Sequence, residues 1–99
     1  MSQNQVVVIA RIRAKPGMEN VVREELMGLL EPTRKEAGCI NYNLHQSAEN
    51  PGHFLFHETW GSKDALDRHL ESSHIQATVH KGDNIFDGTA EISLWKKIG

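Results

Sequence analysis

Between His53 and His74 the chain reads HFLFHETWGSKDALDRHLESSH, a stretch that gathers an acid, an indole and imidazoles at spacings that let them converge. Glu58 alternates with Phe54, Phe56 and Trp60, so on a strand its carboxylate points where three aromatic rings point. An ionised carboxylate among aromatics is costly unless paired or hydrogen-bonded, and desolvation raises its pKa. Such a group suits a general base or an anchor for a histidine. It equally suits a buried glutamate that bonds a helix N-terminus or a neighbouring strand. Trp60 closes the strand and can stack on a flat ligand while donating its indole N–H, or it can simply fill the core. His69 and His74 flank Glu71-Ser72-Ser73, and neutral imidazole tuned by a carboxylate suits proton transfer near pH 7. As metal ligands they are poorly spaced, because i,i+5 (and i,i+6 from His74 to His80) does not share one helical face as i,i+4 does. No metal site is expected. His45, His53 and His57 read as solvated or interfacial, and His80 as a late-helix residue favoured by the helix dipole.

What the chain lacks narrows the chemistry further. No GxGxxG, GxxxxGK[ST], CxxC or GxSxG occurs, so dinucleotide, phosphate-loop, thiol-redox and esterase-elbow chemistries have no signature. Net charge is -2 and no Lys/Arg run stands out, which leaves nucleic acid without an electrostatic footprint. The single cysteine, Cys39, cannot form an internal disulfide and fits a buried apolar role in a reducing compartment. The apolar run Val6–Ala10 is too short to cross a membrane and MSQNQVVVIAR does not read as a leader, so a cytoplasmic location without membrane contact is expected.

The elements that must position these groups are legible from periodicity. Residues 5–14 are rich in β-branched residues, with an opening apolar run that predicts a strand whose first half is buried on both faces, ended by Lys15-Pro16-Gly17. Apolar residues at 18, 21, 22, 26, 29, 30 and 33 then predict a helix over 17–37. Its polar face carries Glu19, Arg23, Lys35 and Glu36. Pro32 clashes with the carbonyl of Gly28, so this helix is expected to kink there before Gly38 closes it. Cys39–Gln46 and His53–Trp60 alternate as strands around the polar turn 47–52. Ser62 and Ser72 are N-cap residues for helices 62–71 and 72–80, and 89–98 alternates as a last strand.

The order β-α-β-β-α-β over residues 1–99, one domain, closes with right-handed crossovers into an α+β, ferredoxin-like split βαββαβ fold with a four-stranded antiparallel sheet. Two helical regions cover one side only. The other side is expected to present Val7, Ile9, Leu55, Ile92 and Leu94, and a two-fold homodimer packing sheet against sheet would cover them. A chain of 99 residues buries only ~60–65% of its unfolded surface, so association would also add stability.

The strand VVVIARIRAKPG, the segment LLEPTRKEAGCINYNL, Phe56-x-Glu58-x-Trp60 followed by His69 and His74, and the closing AEISLWKKI together resemble the antibiotic biosynthesis monooxygenase domain family along essentially the whole chain. The resemblance implies a dimeric α/β-barrel and a cofactor-independent oxidation of a quinol-like or polyphenolic aromatic by O2, without flavin, haem or metal. It implies His69, His74 and Glu58 as catalytic groups and Trp60, Phe56 and Tyr42 as substrate contacts, with Trp60 and Phe56 sandwiching the ring. Other members of such a family imply alternatives: an aromatic-ligand-binding or stress-associated module without turnover, an isomerase, or a haem-handling protein. Haem-degrading relatives use an Asn on the first strand, and none lies within Val6–Ala14.

Overall fold

The β-branched run at the start forms β1 (Val6–Arg13), and the positive φ of Gly17 (+85°) turns the chain towards α1 (Glu19–Met27). There follow α2 (Leu30–Arg34), β2 (Cys39–Gln46), β3 (His53–Trp60), α3 (Lys63–Leu70), α4 (Ser73–Ile85) and β4 (Glu91–Trp95). This computed structural model describes residues 4–99. The strands make one antiparallel sheet in the order β2-β3-β1-β4, the arrangement of the ferredoxin-like split βαββαβ fold.

Two expected helical boundaries differ. The helix over 17–37 is interrupted at Gly28-Leu29 and resumes as α2. Pro32 has no N–H for the Gly28 carbonyl, and Leu29 N–H turns to the Leu26 carbonyl (3.1 Å), a tighter turn that parts the two segments. The last helix runs through Gly82 to Ile85. A Cβ at Gly82 would meet the Phe86 ring at 2.9 Å, so the glycine serves packing there. The last strand is shorter than expected, ending at Trp95.

Register decides which side chains meet the helices. Residues directly opposite in antiparallel strands share a face. Tyr42, Glu58, Val8 and Leu94 therefore form one row across the sheet, and Leu44, Phe56, Ala10 and Ile92 the next. Val8, Ala10, Ile12, Phe54, Phe56 and Trp60 join Val22, Leu26 and Leu66 in the core beneath the helices. Ile92 and Leu94 thus point to the helical side, contrary to the expectation that they face the open side. They stay about half exposed because β4 lies at the edge of the sheet. The open face carries Val7, Ile9, Leu55 and Trp95 instead, together with Asn41 and His57, whose side chains are hydrogen-bonded (3.1 Å). Trp95 on that face is 59% exposed.

The helical layer is tied to itself by Glu25 on α1. Its carboxylate accepts from the Thr78 hydroxyl (2.7 Å) and from Lys81 Nζ (2.9 Å) on α4. Burial works against the ionised form, but the bonds from Thr78 and Lys81 outweigh it and hold this carboxyl below its ordinary value. A lowered folded-state pKa stabilises fully above the unfolded-state value, and that stabilisation is lost as pH falls through the folded one. Glu25→Gln is expected to cost about 1 kcal/mol near neutral pH. It should also flatten the acid limb of a Tm-against-pH curve below about pH 4.3; a limb as steep as wild type would contradict the clamp. Gly38, at φ +87° where α2 turns into β2, accepts a 2.7 Å bond from Gly61 N–H, and a Cβ there would lie 2.5 Å from Ala65 Cβ. Gly38→Ala should lower the urea midpoint by an amount equivalent to about 2–4 kcal/mol.

Candidate active site under the helical layer

Each group of interest is placed by a local rule. Period-2 alternation along β3 sends Phe56, Glu58 and Trp60 inward together, and cross-strand pairing sets Tyr42 opposite Glu58. Ser62 caps α3 by accepting from Ala65 N–H (3.1 Å), which fixes the helix that carries His69. Ser72 does the same for α4 through Ile75 N–H (3.4 Å) and donates back to the His69 carbonyl (2.7 Å). The break between α3 and α4 therefore folds His74 back towards His69, with ring centroids 6.2 Å apart. The i,i+5 spacing would have separated them on one continuous helix.

Between these two rings lies Glu36, from the turn that follows α2. Its Oε2 accepts from His69 Nδ1 (2.7 Å) and from His74 Nε2 (2.8 Å). Burial lowers the pKa of His69, against the opposing pull of Glu36, so the ring is neutral near pH 7. With its single proton on Nδ1, facing Glu36, Nε2 is left as a lone-pair acceptor. That nitrogen stands 4.0 Å from Glu58 Oε1. The same Glu58 oxygen accepts from Trp60 Nε1 (2.9 Å). Burial pushes Glu58 up to about 7; the Trp60 bond opposes the shift and the charge of Glu36 adds to it. Near neutral pH Glu58 is thus available both as acid and as carboxylate. Burial and the charge of Glu58 likewise push the Tyr42 phenol far above its ordinary value, so it stays protonated.

His69 and Glu58 open onto a cavity of about 180 Å3 between sheet and helices. Its walls are largely apolar, from Ile12, Leu26, Phe56, Ile75 and Phe86, with Tyr42 stacked on Phe56 at a centroid distance of 4.6 Å. This is below the ~300–1,000 Å3 of sites for drug-sized ligands, and suits a ligand of one or two rings. A larger groove of about 610 Å3, bordered by Arg11, Arg13, His45 and His53, opens to solvent and has no comparable convergence of buried polar groups.

Of the residues expected to act, Glu58, His69, Phe56 and Tyr42 line this cavity. Trp60 does not. It is fully buried, its ring 4.5 Å from that of His69 and its indole N–H on the Glu58 carboxylate, so in this structure it contacts the acid and not the cavity. His74 lies behind His69, on the far side of Glu36. The carboxylate within hydrogen-bond distance of His69 is Glu36, which the periodicity placed on a solvated helix face. Its only signal in the sequence was a position two residues before the helix-ending Gly38, where the chain turns back towards the sheet.

Comparison with known proteins identifies the family to which this fold belongs. Residues 5–81 match the family described as antibiotic biosynthesis monooxygenase, and the chain belongs to that family. It is 31% identical over 99 residues to the uncharacterized protein sll1783 of Synechocystis, covering 96% of this chain and 65% of that protein, so it spans somewhat less than two thirds of that relative. It is 39% identical over 69 residues to the "Putative monooxygenase Rv0793" of Mycobacterium tuberculosis, covering 70% of this chain and 67% of the other. The crystal structure of PA3566 from Pseudomonas aeruginosa superposes with a TM-score of 0.94 at 28% identity, over 100% of this chain and 99% of that one.

The hydrogen-bond pattern fixes which ring nitrogen carries the proton. Nitrogen-15 NMR of the imidazoles near pH 7.5 should show His69 with a protonated Nδ1 and a bare Nε2, and Glu36→Gln should erase that preference. The opposite tautomer in the wild type would remove Nε2 as a base.

Proposed function

We propose that this protein is a monooxygenase that needs no flavin, haem or metal and oxidises a small quinol-like or phenolic substrate with O2. The observation that carries the reading is the 4.0 Å separation of His69 Nε2 and Glu58 Oε1 at the wall of an apolar cavity. The gap is too long for a hydrogen bond between them, yet a hydroxyl oxygen about 2.8 Å from each closes the triangle. His69 Nε2 then takes the hydroxyl proton and Glu36 steadies the imidazolium that results, as a carboxylate behind a histidine does in other proton-transfer sites.

The chemistry balances without an added reductant. The quinol anion passes one electron to O2, and the radical pair joins to form a carbon–oxygen bond. Breaking the O–O bond then leaves one oxygen on the ring and releases the other as water, so a quinol and O2 become a hydroxyquinone and H2O. What the chain contributes is binding in a water-poor cavity, a base, and an acid beside the developing oxyanion. The small cavity supports this reading over haem handling, since a macrocycle is far larger than 180 Å3.

The open sheet face, with Val7, Ile9, Leu55 and Trp95, supports pairing with a second copy, and the lone, half-buried Cys39 supports a reducing, cytoplasmic setting. Oxygen-electrode assays with hydroquinones and naphthoquinols test the activity. Wild type should consume O2 above the uncatalysed rate, and folded His69→Ala should lose about 100-fold or more. His74→Ala, which removes only a neighbour of Glu36, should lose less. Binding of the aromatic with no O2 uptake would mark a ligand-binding module instead, and full activity in His69→Ala would remove the mechanism.

A further inference from the structure

We propose that Glu36, His69 and His74 form a binding site for a first-row divalent cation, with Zn2+ as its natural probe. Glu36 Oε2, His69 Nδ1 and His74 Nε2 lie within 4.8 Å of one another, one donor atom from each of three separate elements. Two imidazoles and one carboxylate are the donor set of open Zn2+ sites, which keep the fourth position for water. The nitrogens now stand 2.7 and 2.8 Å from the carboxylate oxygen. Ligands about 2.0–2.1 Å from a tetrahedral ion are separated by about 3.3 Å, so each nitrogen needs to draw away from the carboxylate oxygen by only ~0.5 Å. The cation would take the place of the two protons that now bridge them.

The surroundings fit an occupied site. With a cation on Nδ1, the proton of His69 moves to Nε2 and faces the Glu58 carboxyl, which Trp60 Nε1 holds at 2.9 Å. At 4.0 Å this carboxyl is too far for a direct hydrogen bond, so a bridging water would complete the outer support usual behind a ligating histidine. Ser72 Oγ lies 3.3 Å from His74 Nε2, with its own proton directed to the His69 carbonyl (2.7 Å), so its oxygen offers a lone pair on that side. Glu36 and His74 are 16% and 23% exposed at the side chain, against 3% for His69, which leaves a route for the ion and a place for water.

The test uses tag-free, chelator-treated protein, titrated calorimetrically with Zn2+ and followed by visible absorption with Co2+. One Zn2+ per chain is expected, with the intensified visible bands of a low-symmetry Co2+ site. Glu36→Gln and His74→Ala, checked for native circular dichroism, should each weaken Zn2+ binding at least ~10-fold. His80→Ala, at an exposed histidine elsewhere on α4, should leave it unchanged. No binding of either ion, or binding that both variants retain, would overturn the site and reduce the three groups to a hydrogen-bond cluster. The result is separable from the oxygenase reading, because O2 uptake is measured on the chelated protein and ion binding without substrate.

Discussion

One carboxylate oxygen holds the working end of this molecule together. Glu36 Oε2 receives both His69 and His74, and in doing so joins the turn after α2 to α3 and α4. The ring of His69 is almost wholly buried, so an unpartnered Nδ1–H would leave a donor out of water at a cost of about 1–3 kcal/mol. That penalty is what makes the arrangement specific. Only with Gly38 in its left-handed conformation, Ala65 against it and Ser72 starting a new helix do all three groups arrive at the same point. The proposed chemistry depends on the same oxygen, because a proton held by it on Nδ1 leaves Nε2 as the bare nitrogen.

Glu58 imposes the complementary constraint. It sits in the sheet row between Tyr42 and Val8, and at 4% exposure its direct side-chain partner among the described residues is Trp60 Nε1. Burial alone accounts for most of its raised pKa, and the charge on Glu36 acts in the same direction. The two glutamates lie on opposite sides of His69 in different surroundings. One bonds two imidazoles near solvent, and the other rests among aromatics against an apolar cavity. Deep burial brings Glu58 into the range where a carboxyl can exchange a proton near neutral pH, while Glu36 is the hydrogen-bond partner of both imidazoles.

Much of this is legible in the sequence alone. The strands, the caps at Ser62 and Ser72, and the inward face Phe54-Phe56-Glu58-Trp60 follow from period-2 alternation and N-cap chemistry, and the structure has each of them. Glu36 was not legible, because a charged residue near a helix end looks the same whether it faces water or two imidazoles from 33 and 38 residues away. The side chosen by Ile92 and Leu94 was hidden for a related reason. Alternation gives two sets of residues, and only the register of Val8 opposite Leu94 says which set faces the helices. The place of Trp60 is a third non-local fact, since Glu58 lines the cavity and the indole that bonds it does not.

The site is a poor use of core volume if stability were the only demand. Replacing a buried acid and its polar partners by well-packed apolar residues of similar size is often neutral or stabilising. The chain instead places its stabilising contacts at a distance: the continuous apolar core around Val22, Leu26 and Leu66, and the Glu25 clamp to Thr78 and Lys81 at the other end of the helical layer. The strain of burying charge is confined to one corner, where α2, α3 and α4 meet the end of β3. A protein of 99 residues has few such contacts to spare. Keeping two glutamates and two histidines together there, beside the apolar cavity, is a costly way to pack a core, and that cost supports the proton-transfer role proposed for the site.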